Sequence, residues 1–550
     1  MKAARASQPT GMDRSTSYHP DRNLLLARET RLFPRSPGGR LHVALVFPQP
    51  YSTAMSNLGF QFIYRYFNSL PDVECERAFY APSGRPVSFE SQRPLGDFDL
   101  LAFSVSYALD FPAMLELLLR AGISLSARER AGRPLVVAGG VAITTNPLPL
   151  ADFFDLFFIG DGEESLPVAV EALLEHCSRP ARLAALAGEP GLFIPELHDA
   201  GGPIRVAPRV VPDFARYEVC SGILSPDTEF ADRMLIESTR GCPYLCRFCL
   251  AKYIHESLRH RPIEAVWQMA ERPEVRQVGL IGAGVSTHPR FVEMCEGLVA
   301  RGQGVSCSSL RLNNVSQAMA DILVRGGQKT LTIAPEAGDE RTRWEVLGKT
   351  ASDAMILETA ERIGRAGATG LKCYFITGIP GAPPEENDKL IQLVRDIRRV
   401  FTSAGGGRGI VTVGVSPFVP KPQTPWSEAP MAPLSQVKAN LAAMRRAWRG
   451  DSRIRLTETS PFDALLDGLF LAGDRDLGPA WRRSRRCLAR NAASGSSPTW
   501  TRRCSASCRP RAVRSPSPTG WMRMTFKLGI LSDTHNHVPA RLAQMFAGLV

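Results

Sequence analysis

Three cysteines stand within eight residues in the segment Ser238-Thr-Arg-Gly-Cys-Pro-Tyr-Leu-Cys-Arg-Phe-Cys249. Cys242, Cys246 and Cys249 have the spacing C-x3-C-x2-C. Three thiolates on one short loop can cap three irons of a cubane 4Fe-4S cluster and leave the fourth iron without a protein ligand. A substrate or cosubstrate can chelate an iron left open in this way. Zinc is the alternative metal. It normally takes four ligands, often from two C-x2-C pairs, and His255 or His260 could complete such a set.

The elements around the motif read as α/β. From about 41 to 190, short apolar runs at Leu41–Phe47, 99–104, 134–138 and 156–159 alternate with helical patterns such as 111–121 and 164–176. Continuous apolar strands between amphipathic helices predict a parallel sheet covered on both faces. Ligands of such sheets sit at the carboxyl ends of the strands, where Gly139-Gly140 and Gly160-Asp-Gly162-Glu163 fall. Residues 191–228 read as a proline-rich linker. A second alternation follows, with strands at 234–238, 277–281, 304–308, 330–334, 371–376 and 410–415. Helices are expected at about 263–271, 289–301, 316–325, 352–366, 385–403 and 434–448. Six βα units in a row predict a partial (β/α)6 barrel over 229–455, with its site at the C-terminal ends of the strands. The cysteine loop follows the first of these strands.

Composition adds boundaries. No run of about 18 apolar residues occurs, so no membrane span is expected. The N-terminus lacks the apolar core of a secretory signal, and residues 1–40 read as a loose arm in which 23–28 could form a helical turn. The 12 cysteines form no regular disulfide framework, which suits a reducing cytoplasm. The net charge of +12 suggests nucleic acid until it is located: residues 481–523 hold eleven Arg and no Lys, Asp or Glu, leaving +1 for everything else. Lone Cys295, Cys307 and Cys373 read as core residues.

The cysteine spacing, its position on the first loop of the series and Phe248 before the last cysteine resemble the radical S-adenosylmethionine (SAM) superfamily. Leu45-Val-Phe-Pro, Met55-Ser-Asn-Leu-Gly59, Ala138-Gly-Gly140 with Asn146-Pro147, Ile159-Gly-Asp-Gly-Glu163 and 328–338 narrow the resemblance, over about 40–480. They point to an uncharacterised group with an N-terminal Rossmann-like, cobalamin-binding-like domain (41–190). The resemblance implies that the open iron holds the amino and carboxylate groups of SAM, which is cleaved to methionine and a 5′-deoxyadenosyl radical. It implies that Gly282 and Gly284 approach the SAM amino group and that Glu336 accepts from ribose or amino groups. It also implies that Gly378-Ile-Pro380-Gly381 packs near adenine. Arg311 reads equally as a partner of the SAM carboxylate or as a surface residue. The proline-rich loop 416–425 could close over the pocket. An electron donor such as flavodoxin or ferredoxin is implied. The substrate, small molecule or macromolecule, is not. No Asp-x-His-x-x-Gly occurs in 41–190, so the N-terminal domain reads either as a corrin binder without that histidine or as a domain that only shapes the cleft; Gly139, Gly140, Gly160 and Gly162 are its candidate contacts. Cobalamin-assisted methyl transfer is one form of the chemistry. A methylthiolation of tRNA is another, although no second cluster domain is seen. A non-catalytic iron–sulfur or zinc scaffold is the alternative outside enzymes.

Residues 456–480 continue the pattern as an extension. From 481 to 523 acids and periodicity vanish together, while Cys487, Cys504 and Cys508 lie in the same stretch. Then Phe526-Lys-Leu-Gly-Ile-Leu-Ser-Asp-Thr-His-Asn-His537 resembles the opening of a calcineurin-like metallophosphoesterase, with Asp533 and His535 as its first metal ligands. Only 13 residues follow His537, so no phosphoesterase activity is expected of 524–550. The expectation is that the gene reads out of frame from about 481 into a neighbouring start near Met524. A frame that fails to continue the preceding pattern would leave a basic, nucleic-acid-binding tail as the rival reading.

Overall fold

The computed structural model describes residues 21–34, 38–130, 132, 134–198, 206–255, 257–475 and 477–478. The basic stretch and the phosphoesterase-like segment lie outside the described residues.

The described residues begin on a docked segment. A helix Arg22–Ala27 leads into strand β1 (Thr30–Arg31). This corrects the expectation of a loose arm over these residues. Its anchor is Glu29, whose carboxylate accepts from the fully buried Arg77 guanidinium at 2.6 and 2.8 Å. Glu90 takes a third nitrogen of Arg77 at 2.7 Å. A buried cation of this kind is tolerable only when paired.

The first domain is a six-stranded sheet of β2 (Leu41–Phe47), β3 (Val73–Phe79), β4 (Leu100–Ser104), β5 (Leu135–Gly139), β6 (Leu156–Phe158) and β7 (Leu192–Phe193). Their order is β3-β2-β4-β5-β6-β7, all parallel except β7. The expected linker therefore begins inside the sheet. Along β2, Val43, Leu45 and Phe47 enter one core with helices Leu58–Phe67 and Ser165–Glu175, while Ala44 and Val46 enter another with helix Phe111–Arg120. Strands apolar on both faces need a cover on both faces.

The connector gives β8 (Ile223–Leu224), which pairs with β1. The second domain then opens with β9 (Arg233–Glu237), followed by the short β10 (Thr239–Arg240) and β11 (Arg259–His260), which pair with each other. Its remaining parallel strands are β12 (Gln277–Ile281), β13 (Gly304–Cys307), β14 (Thr330–Glu336), β15 (Gly370–Thr377), β16 (Ile410–Pro417) and β17 (Ile454–Glu458). Sheets β13-β12-β9 and β14-β15-β16-β17 meet at a parallel bridge between Leu310 and Ile333. The result is an open arc of seven strands, one more than the sequence pattern suggested. The seventh crosses the boundary drawn at 455. It is short and alternates polar with apolar residues, a weak signal for a strand in a parallel sheet. The helix that follows it, Pro461–Ala472, packs into the core of the first domain through Leu465, Leu469 and Phe470.

The proline-rich loop after β16 is also held by the first domain. Gln423 donates to the Thr144 and Thr145 carbonyls at 2.6 and 2.9 Å, and Met431 enters the same core. No helix of the described residues is long and apolar enough to cross a membrane.

Candidate active site

The cysteines lie on the loop between β10 and β11, whose two-residue ladder closes the loop at its neck. Gly241 enters the neck at φ +80°, and a Cβ there would sit 2.3 Å from the Ser257 carbonyl oxygen. Only glycine fits both the left-handed backbone and that approach.

The neck is stapled by acids from the first domain. Asp161 spans it, with Oδ1 at 3.2 Å from Arg240 Nη1 and Oδ2 at 3.0 Å from Arg259 Nη1. Glu163 Oε1 accepts from Arg240 Nη2 at 2.6 Å, and Glu237 takes the same guanidinium at 2.7 and 3.0 Å. All but Glu237 are buried. Burial alone would raise the Asp161 carboxyl, but Arg240, the Val211 amide and Arg259 hold it below the ordinary carboxylate range.

Inside the loop, the Cys242 and Cys246 thiols are buried and Cys249 is half-buried; all three are free. Burial pushes the Cys249 thiol up, and Cys246, Cys242 and Glu336 add to the rise, so the groups share one electrostatic pocket. Arg311 Nη2 donates to Cys246 Sγ at 3.7 Å while its guanidinium carbon lies 3.6 Å from the centre of the Tyr244 ring. Its Nε is buried without a partner. Arg311 therefore faces the cysteine loop and is not a surface residue. Arg247 fixes the middle of the loop by donating to the Glu345 and Val346 carbonyls at 2.8 and 3.0 Å. Those carbonyls close a single π-helical turn, Thr342–Val346, whose i+5 pairing leaves them available.

The other expected positions gather around this loop. Phe248 packs with Ala337, Leu347 and Ile379, so the loop's aromatic shares a nest with the Gly378-Ile-Pro380-Gly381 turn. Gly378 itself is left-handed, with Ala432 against it. Glu336 sits at a bulge of β14 with φ +73°, and Lys349 Nζ donates to it at 2.9 Å. A non-glycine residue held in that conformation marks strain maintained by its surroundings. Gly282 passes over the Thr239 carbonyl and Gly284 approaches that of Gly241, which seats their turn on the neck.

The four glycines of the first domain are placed by close backbone and side-chain approaches. A Cβ on Gly140 would meet the Val105 carbonyl at 2.5 Å, and one on Gly160 the Arg209 carbonyl at 2.2 Å. Gly139 lies against Phe158, and Gly162 near Leu166 and Ile63. At the strand ends beside Gly140, Tyr107, Leu109 and Val141 expose apolar surface.

His255 and His260 belong to the neck. His255 Nδ1 faces Asp161 at 3.8 Å, and the His260 ring stands edge-on to His288. Among the described residues no three His, Cys, Asp or Glu side chains already stand at metal-ligand spacing. The loop's fit to an iron–sulfur cluster therefore rests on three thiols in one pinned loop with a guanidinium directed at one of them. Cys295, Cys307 and Cys373 are buried core thiols, and burial pushes that of Cys307 up to about 12.

Asp161, Glu163, Arg240, Arg259 and Lys349 were missed as site residues. The available signal was an acid pair in a Gly-Asp-Gly-Glu turn and an arginine two residues before the first cysteine; nothing in the sequence joins segments nearly 80 residues apart.

An α/β chain with a seven-stranded open arc and a pinned three-cysteine loop at its mouth defines a cluster-bearing class of enzyme. Two family models match it: Radical SAM proteins, N-terminal, over residues 59–195, and Radical SAM superfamily, over 236–394. The chain belongs to the radical SAM superfamily, whose enzymes use a 4Fe-4S cluster and SAM and need a reductant. It is 27% identical over 389 residues to the uncharacterized protein MJ0966 of Methanocaldococcus jannaschii, a match covering 70% of this chain and 78% of that one. Among solved structures it resembles the cobalamin-dependent SAM radical enzyme OxsB with aqua-cobalamin and SAM bound (14% identity, TM-score 0.45, 64% of this chain and 51% of that one). Streptococcus suis SuiB bound to SAM is a further likeness (11% identity, TM-score 0.30, 42% and 51%). The chain thus spans about half the length of these two structures.

Proposed function

We propose that this chain cleaves SAM reductively at a cluster carried by Cys242, Cys246 and Cys249 and directs the resulting radical at a substrate in the open arc. The observation that supports this most is the convergence on one loop of Arg311, Phe248, Glu336 and the Gly378–Gly381 turn. When bound, the cluster supplies the electron that breaks the sulfonium bond of SAM. The chain's own residues do the rest. Arg311 offers a guanidinium to a carboxylate beside Cys246. Glu336 offers an acceptor oxygen, and the Phe248 nest offers an apolar wall. Flavodoxin or ferredoxin is the proposed electron donor, and the free thiols suit a reducing cytoplasm.

The test is anaerobic reconstitution with iron and sulfide, then reduction with SAM present. 5′-Deoxyadenosine is expected; its absence from a cluster-loaded preparation would overturn the reading.

Cobalamin-assisted methyl transfer is the second reading. It is favoured by the apolar surface of Tyr107, Leu109 and Val141 at the strand ends, where ligands of such sheets bind. Reconstitution with hydroxocobalamin should leave a corrin spectrum after gel filtration, reduced by Tyr107→Ser. A colourless protein would remove this reading and leave SAM cleavage standing.

A further inference from the structure

The inner wall of the arc carries cations that no carboxylate of the described residues neutralises. Leu371, Cys373 and Phe375 of β15 face the surrounding helices, as do Val411, Val413 and Val415 of β16 and Ile454 of β17. Side chains of a strand alternate between faces, so the residues between them face the lumen. The strand register sets these in layers. Thr332, Lys372, Thr412 and Arg455 are successive partners across β14 to β17, and Tyr374, Gly414 and Thr457 form the next layer toward the mouth. Lys372 and Arg455 stand two strands apart, about 10 Å at the backbone, near enough for both long side chains to reach one group.

These cations are free for a ligand. Among the described residues no carboxylate lies within ion-pair distance of Lys372 or Arg455; Lys372 Nζ rests only over the Tyr374 ring, 4.9 Å from its centre. The acids that face the lumen are already taken, Glu237 by Arg240 and Glu336 by Lys349. Tyr374 is 41% exposed, so the wall is open to solvent at this depth. Gly414 keeps that ring flat, since a Cβ there would sit 2.8 Å from it. The cationic layer lies three residues below Phe375, the register partner of Glu336, roughly 10 Å along the strand from that acid. The groups offered to SAM stand above this layer, Glu336 level with Phe375 and Arg311 just past the bridge of Leu310 to Ile333.

From this we infer that the lumen binds an elongated anionic substrate, whose phosphate or carboxylate end is held by Lys372 and Arg455 while its reacting carbon stays at the mouth. The inference rests on the proposed SAM cleavage only for the identity of the mouth.

The test uses the full, cluster-loaded chain with SAM bound, and inorganic pyrophosphate and citrate as probes for phosphate and carboxylate. Calorimetry is expected to show saturable binding of at least one probe. The double variant Lys372→Met with Arg455→Gln should weaken it about 10-fold or more, and Lys372→Arg should retain it. The exposed Arg449→Gln should bind like the parent. Equal affinity in the double variant, or no saturable binding of either probe by the parent, would overturn the inference. Should the double variant fail to fold, amine-selective labelling of the parent decides: the probe should protect Lys372, and an unprotected Lys372 overturns it. Deoxyadenosine formed without protection sinks the lumen site alone. Protection without deoxyadenosine sinks the reading of the cysteines and supports the anion site.

Discussion

The neck of the cysteine loop and the wall of the lumen both present arginine and lysine, yet the two regions treat charge in opposite ways. At the neck, Arg240 and Arg259 are met by Asp161 and Glu163 from one turn of the first domain and by Glu237 from β9. Nearly all of these groups are buried, so a charge that loses its partner there is costly. In the lumen, Lys372 and Arg455 have no acid among the described residues. Water can satisfy them until an anion displaces it. Closed networks hold a loop in place, and open cations are available to a ligand.

The comparison is broken most completely at the loop itself. Cys242→Ala, Cys246→Ala or Cys249→Ala should each abolish deoxyadenosine formation, with iron content of the reconstituted protein as the second readout.

Next in size is the staple. Asp161→Asn leaves Arg259 and part of Arg240 buried without compensation, which should cost about 3–5 kcal/mol. Cluster retention should fall roughly 10–100-fold as the loop loses its anchor. Thermal unfolding and iron content measure the two effects. A variant with parental values in both would show that the neck is held by backbone pairing alone.

A third test concerns a buried acid left without a cation. Burial pushes the Asp110 carboxyl up to about 6; Gln49 opposes this and Asp467 adds to it. Its Oδ2 is buried with no hydrogen-bond partner. The native pKa lies above the unfolded value of about 3.9. As pH rises, the unfolded chain therefore loses its proton first. The protonated form's contribution is full below about pH 4 and gone above about pH 6. Asp110→Asn should stabilise the protein by on the order of 2–3 kcal/mol at pH 8 and by nothing at pH 4. Denaturation midpoints at the two pH values give the comparison; an equal gain at both would refute it.

The smallest effect is expected at the lumen. Lys372→Met removes no ion pair, so stability should change by less than about 0.5 kcal/mol. A large loss of melting temperature would mean that this cation is part of the scaffold.

How much of this was legible from residues alone varies with the kind of pattern. Four strands of the first sheet and six of the arc are apolar runs between amphipathic helices, so they were readable almost to their ends; the two edge strands of the first sheet were not, since β3 (Val73–Phe79) carries Glu74, Glu76 and Arg77 and β7 has two residues. The cysteine spacing pointed to the cluster. The seventh strand hid because Ile454-Arg455-Leu456-Thr457-Glu458 alternates, and half of it faces an open lumen. The docked segment 21–33 looked loose because its anchors are single contacts, Glu29 to Arg77 above all, and these have no periodicity.

By itself the sequence determined the three-cysteine spacing and the α/β class, because each depends on neighbours close along the chain. Only the tertiary structure decided that a turn at 160–163 grips the base of a loop at 241–258, that Arg311 faces Cys246, and that Lys372 and Arg455 share a layer. Those relations depend on strand register and domain packing, which bring together residues many tens of positions apart, and no local pattern records which distant charge will meet which.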